Sequence, residues 1–166
     1  ISSAAIVLAR NGTDIIISIR GSADQVTIQD WNGNAPAALQ RIEFADGTFW
    51  DAAYLHAQTA DFNSLPILGT SGSDSLMGSA GSDTYLFVRG GGQDTISDAG
   101  GELDTLRFGD GISAADIEIP RTGSALVFRI QGSADQVTIQ NWNFGNNFRI
   151  EQVSFADGTV WDSAYL

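Results

Sequence analysis

GTSGSDSLM (69–77) is followed without a gap by GSAGSDTYL (78–86). Each nine-residue unit has glycine at its first and fourth positions, aspartate at its sixth and a larger apolar residue two places later. A looser pair continues the theme, GGGQDTIS (90–97) and AGGELDTLRF (99–108). Successive aspartates fall at 74, 83, 94 and 104, followed by Leu76, Tyr85, Ile96 and Leu106. Glycine lets the backbone turn tightly and expose its carbonyls. The aspartate then faces those carbonyls, and the apolar residue lies on a very short strand and points inward. Stacked units alternate sides, which pairs Asp74 with Asp94 and Asp83 with Asp104. Carboxylate and carbonyl oxygens between such pairs form a flexible cage of hard ligands. That cage suits Ca2+, and suits Mg2+ less because Mg2+ demands tight octahedral geometry. The candidate ligands are Gly69, Ser71, Gly72 and Asp74, then Gly78, Ala80, Gly81 and Asp83, then Gly90, Gly92 and Asp94, and last Gly101 and Asp104.

Outside this stretch the chain repeats itself. GSADQVTIQDWN (21–32) returns as GSADQVTIQNWN (132–143), and FADGTFWDAAYL (44–55) as FADGTVWDSAYL (155–166). Both pairs are offset by 111 residues, and the offset holds without a gap from Ile1 opposite Ile112 to Leu55 opposite Leu166. The unit is therefore 111 residues long and the chain holds one and a half copies, so a tandem array in a longer parent is expected. Ile15, Ile17 and Ile19 alternate with period two, as do Leu126, Phe128 and Ile130. This predicts a strand with one buried face, joined by a Gly-containing loop to a second strand. Asp46-Gly47 and Asp157-Gly158 supply the positive φ of tight hairpin turns. Asp51 is placed to cap one or two helical turns over 51–57. Each flank of 55 residues is too small to stand alone and needs something to pack on.

Charge and composition narrow the function. The 166 residues carry 20 acids, eight arginines, no lysine and one histidine, for a net charge of −12. A nucleic-acid binder needs a basic stripe that is missing here, and docking on anionic lipid is disfavoured for the same reason. There is no cysteine, which excludes disulfides and zinc–thiolate sites. No apolar run reaches the roughly 18 residues of a membrane span. Within 66–111 seven acids face two bases. These residues repel one another and bury little, so this stretch is expected to be disordered without calcium. The chain opens on Ile1 with no basic-then-apolar leader. It is read as a piece of a longer protein, with any targeting signal outside it.

The middle resembles the glycine- and aspartate-rich nonapeptide repeats of the RTX (repeats-in-toxin), haemolysin-type calcium-binding family. The flanks, with FGDGIS (108–113), the Asn-Trp pair and FADGTVW, are similar to the haemolysin-type calcium-binding-related domain that follows such repeats. The resemblance covers nearly the whole chain. It implies a parallel β-roll, folding that depends on calcium, and export by a type I secretion system from a Gram-negative bacterium. The chain departs from the pattern at Thr70 and Ser79, where glycine is usual, and at Ser73 and Ser82, where Asn or Asp is common. Gly91 stands where the family often has an acid, and the aspartate spacings of the later units are eleven and ten. About two to four ions are therefore expected rather than a long ladder.

The expected architecture is all-β: a β-roll over 67–111 between β-rich caps at 1–55 and 112–166, with 56–66 as a linker. The expected function is a calcium-binding structural module of a secreted protein, not an enzyme. Its partners would be calcium ions and neighbouring repeat units of the parent. Rival readings are an adhesion or glycan-binding module that stacks sugars on Trp50 or Trp161 at a cell surface, and an accessory domain of a polysaccharide-modifying enzyme. His56 has no serine in a nucleophile elbow near it, which leaves a hydrolytic triad without support. The four tryptophans are read as core anchors and the eight arginines as surface partners of the acids.

Overall fold

The computed structural model describes residues 1–31, 39–145 and 148–166; within the first flank, 32–38, including the Asn32 that ends the first repeated motif, lie outside the described residues. Among the described residues the chain is all-β apart from one seven-residue helix and three single turns of 3-10 helix. No described helix is long and apolar enough to cross a membrane.

The aspartate-phased middle forms the short strands β6 (Ile67–Leu68), β7 (Ser75–Met77), β8 (Thr84–Phe87), β9 (Gln93–Ser97) and β10 (Thr105–Phe108). Successive strands alternate between two sheets: β6, β8 and β10 pair in parallel in one, β7 and β9 in the other. The nine-residue period is the physical cause. Half of each unit turns and half extends, so the chain crosses from sheet to sheet once per unit. Leu76, Tyr85, Ile96 and Leu106, the residues phased behind each aspartate, all point between the sheets and are buried. Burying a side chain of that size contributes about 2–3 kcal/mol.

The first flank supplies β1 (Ile6–Asn11), β2 (Asp14–Ile19), β3 (Gln25–Ile28), β4 (Arg41–Glu43), β5 (Phe49–Asp51) and α1 (Ala52–Gln58). Asp51 caps α1 by accepting the Tyr54 N–H at 2.7 Å, and Gly47 takes φ +82° in the hairpin between β4 and β5. The second flank supplies β11 (Ile117–Glu118), β12 (Arg121–Thr122), β13 (Ala125–Ile130), β14 (Gln136–Ile139), β15 (Gln152–Ser154) and β16 (Val160–Asp162). Sheets run across the flank boundaries. One has the order β16-β15-β10-β8-β6-β1-β2-β3, the other β11-β13-β14-β9-β7. The second flank adds β14 in parallel to β9 and β15 in parallel to β10. The first adds β1 in parallel to β6.

The main core joins the middle to the second flank. Phe108 lies at its centre, 6.0 Å from Phe128 and 5.3 Å from Phe155 between ring centroids, and Trp142 and Trp161 close its end. A smaller cluster of Ala9, Ile16, Leu68, Leu86 and Val88 covers the opposite face of the largest sheet. That cluster corrects the one-sided reading of β2: Ile16 and Ser18 are buried beside Ile15 because the strand is covered on both faces.

Candidate metal centre

The two clear units build the same hydrogen-bonded turn nine residues apart. In the first, Asp74 Oδ2 accepts the N–H and the hydroxyl of Thr70, each at 2.7 Å, and Thr70 Oγ1 accepts the Gly72 N–H. In the second, Asp83 Oδ2 accepts the N–H and the hydroxyl of Ser79 at 2.7 and 2.9 Å, and Ser79 Oγ accepts the Gly81 N–H. The hydroxyl at position two locks each turn from within.

Parallel pairing then stacks the turns. The Asp74 N–H donates to Asp94 Oδ1 at 3.1 Å, and the Asp83 N–H donates to Asp104 Oδ1 at 2.8 Å. On the Asp83 side the ladder continues into the second flank, where Glu151 Oε2 accepts the Asp104 N–H at 2.8 Å. On the Asp74 side Asp135 of the same flank accepts the N–H groups of Gly90 and Gly92. Glu151 thus takes the place of a further coil's aspartate, while Asp135 sits two residues ahead of that register, where Val137 lies opposite Asp94. Sequence reasoning assigned neither, because both lie in the flank.

The Asp83 side carries a third acid. Carboxylate oxygens of Asp83, Asp98 and Asp104 lie within 4.8 Å of one another, and all three residues are buried. Asp98 follows Ser97, which pairs with Met77, so the strand register sets it beside Gly78. The Tyr85 hydroxyl donates to Asp98 Oδ2 at 2.5 Å. Burial first, and that hydrogen bond second, hold the phenol well above its usual range. Arg10 of β1 reaches in from the first flank and donates to Asp83 Oδ1 at 2.7 Å. It is only 8% exposed, which corrects its reading as a surface partner.

The donor set fits a hard divalent cation. Three carboxylates against one guanidinium leave two negative charges. Asp104 Oδ2 is buried with no hydrogen-bond donor. Glycine keeps the site open: a Cβ on Gly101 would lie 2.8 Å from Asp104 Oδ2 and from the Gly81 carbonyl, and one on Gly78 would meet the Asp98 carboxylate. Burial, then the neighbouring Asp98, Glu151 and Asp83 charges, raise Asp104 to about 6 against the opposing Asp83 hydrogen bond. Burial, with Asp74 and Asp135 adding to it, raises Asp94 to about 7. Both shifts record carboxylates taken out of water without enough positive charge nearby.

The other candidate ligands divide by turn. Gly69 is packed against the Asp94 and Asp74 carboxylates. The carbonyls of Ser71 and Gly72 lie against Gly92, whose φ of +84° and lack of a Cβ allow that approach. Ala80 lies exposed in its turn. Gly90 turns its N–H toward Asp135.

Segments 14–54 and 126–165 each match the haemolysin-type calcium binding protein related domain; β14 and β15, which complete the stack, fall within the second, while β1 lies outside the first. The two matched segments are similar to that family. A curated relative is the iron-regulated protein FrpA of Neisseria meningitidis serogroup C, 39% identical over 87 residues. That match takes in 49% of this chain and 8% of the relative. Asp135 and Glu151 lie within the second matched segment, and Arg10 lies ahead of the first.

Proposed function

We propose that this chain is a calcium-loaded structural module of a secreted protein, in which the coils of 67–111 form a β-roll and the flanks 1–55 and 112–166 close its two ends. The observation that carries this reading is the buried Asp83–Asp98–Asp104 group with the undonated Asp104 Oδ2. Asp83, Asp98 and Asp104, with the Gly81 carbonyl beside them, would hold one ion. Asp74 and Asp94, with Gly69 packed on their carboxylates, would hold another. A bound calcium ion supplies the positive charge that these carboxylates lack.

The chain's own residues set the rest. Thr70 and Ser79 fix the aspartate rotamers, Tyr85 holds Asp98, and Arg10 compensates part of the charge before any ion arrives. In a calcium-poor cytosol the residual repulsion keeps the acidic middle loose enough for export. Outside the cell, at the roughly millimolar calcium that suits extracellular modules, binding free energy becomes folding free energy. Sugar stacking is less favoured, because Trp161 is buried and Trp50 is half-buried against Phe44 and Tyr54. No catalytic role is proposed: among the described residues the acids converge at the Asp83 group, which the metal reading already accounts for.

Calcium titration calorimetry tests this, with circular dichroism and limited proteolysis in calcium and in chelator. Heat of binding, gain of β signal and protease protection over 67–111 are expected together. A spectrum and a melting temperature indifferent to chelator would overturn the reading.

A further inference from the structure

The two flanks share about half of their residues at the 111-residue offset, yet their surroundings differ. In the second flank β14 and β15 lie against β9 and β10. Among the described residues their counterparts in the first, β3 and β4, each have one partner, β2 and β5, and an open second edge. Matched residues follow suit. Val137 is fully buried and Val26 is 62% exposed; Ile112 is 3% exposed and Ile1 62%. Asp135 clamps the N–H groups of Gly90 and Gly92, whereas Asp24 lies exposed. The N–H groups of Gln136 and Gln152 donate to the carbonyls of Gly92 and Asp104, whereas among the described residues the strands of the matching Gln25 and Arg41 pair with no coil strand.

The open edges flank an apolar groove of about 400 Å3, lined among others by Ile6, Ile17, Ile19, Val26, Ile42 and Phe44. Their counterparts Phe128, Val137, Val153 and Phe155 are packed against the middle coils, with the Phe108 ring between Phe128 and Phe155. The interface that would fill the groove is therefore present once already in this molecule.

We propose that the β3–β4 face of the first flank is the docking site for a second glycine/aspartate coil stack of the 67–111 type, supplied by another 111-residue unit. The incoming β9-like and β10-like strands extend β3 and β4 in parallel, an aromatic at the Phe108 position fills the groove, and Asp24 accepts the N–H groups of the incoming Gly90-like turn. The first flank then joins two stacks, one through β1 and Arg10 and the other through β3, β4 and Asp24. Edge strands of this kind are templates for pairing and carry a strong register preference when one face is apolar.

The test places residues 56–111 directly ahead of Ile1, which makes a Gly111–Ile1 junction equivalent to Gly111–Ile112. Amide hydrogen exchange is compared between this extended chain and the 166-residue chain in calcium. Exchange over 24–29 and 40–44 is expected to slow about tenfold or more in the extended chain. Val26→Asp should cancel that gain while leaving 136–139 and the melting temperature of the 166-residue chain unchanged. Unchanged exchange over 24–29 and 40–44 overturns the proposal. Protection that instead grows with concentration in the unextended chain also overturns it, by assigning the face to a second copy.

Discussion

The Asp74 and Asp83 turns have the same internal hydrogen bonds but different neighbours. Asp83 is buried beneath a guanidinium from the first flank and beside two further acids, while Asp74 is half-buried and stacked on Asp94. One nine-residue unit thus makes an enclosed site or a more open one according to what the flanks bring to it. Sequence sets the turn, and strand register sets the charge around it.

The sharpest way to break this contrast is Arg10→Met. Without calcium it leaves the Asp83 carboxylate buried and unpaired, and the chain should lose about 3–5 kcal/mol. Denaturant melts should show a smaller loss in calcium, because the ion compensates the same charge. An equal loss with and without calcium would mean that Arg10 does not share its site with the metal.

Asp104→Asn and Asp94→Asn come next, one on each side. Each should remove one ion by calorimetry. Each should also cut the calcium-linked stability by about 3 kcal/mol at a free calcium concentration a hundredfold above the dissociation constant. Equal stoichiometry in the variants and the parent would dissolve the distinction between the two sides.

Acidity tests both sides together. The raised Asp94 and Asp104 values mean that the folded chain binds more protons than the unfolded chain between about pH 4 and pH 7. In chelator the melting temperature should rise as pH falls from 8 to 5. In calcium the same acidification should weaken binding, because protons and metal compete for the same oxygens. A melting temperature in chelator that falls over this range would contradict the burial described for these carboxylates.

The smallest effect belongs to a control. Asp46 holds its hairpin by accepting the Thr48 N–H and hydroxyl, away from the coils. Asp46→Ala should cost about 0.5 kcal/mol and leave the ion count unchanged, whereas Asp83→Ala lowers it.

Much of this was legible in the chain because it is periodic. The nine-residue phase places Leu76, Tyr85, Ile96 and Leu106 in the core, and the 111-residue offset marks the homologous flanks. Asp98 was not legible, since it follows an apolar position rather than preceding one and comes into the site only through the pairing of Ser97 with Met77. Arg10 lies 73 residues from Asp83 and arrives through the single β1–β6 pairing at Ile67. Its recurrence at Arg121 was the available signal, and the scattered arginines hid it. Glu151 and Asp135 were missed because the flanks were read as lids, whereas their strands continue the stack.

One ribbon of hydrogen bonds passes from Val160 through the coils to Ile28. Its narrowest joint, the single β1–β6 pairing at Ile67, is braced by the buried Arg10–Asp83 pair and the Ala9–Leu86 cluster, so heat should produce a single calorimetric transition. Losing metal at the waist should then be felt as far away as the tryptophan fluorescence of both tips.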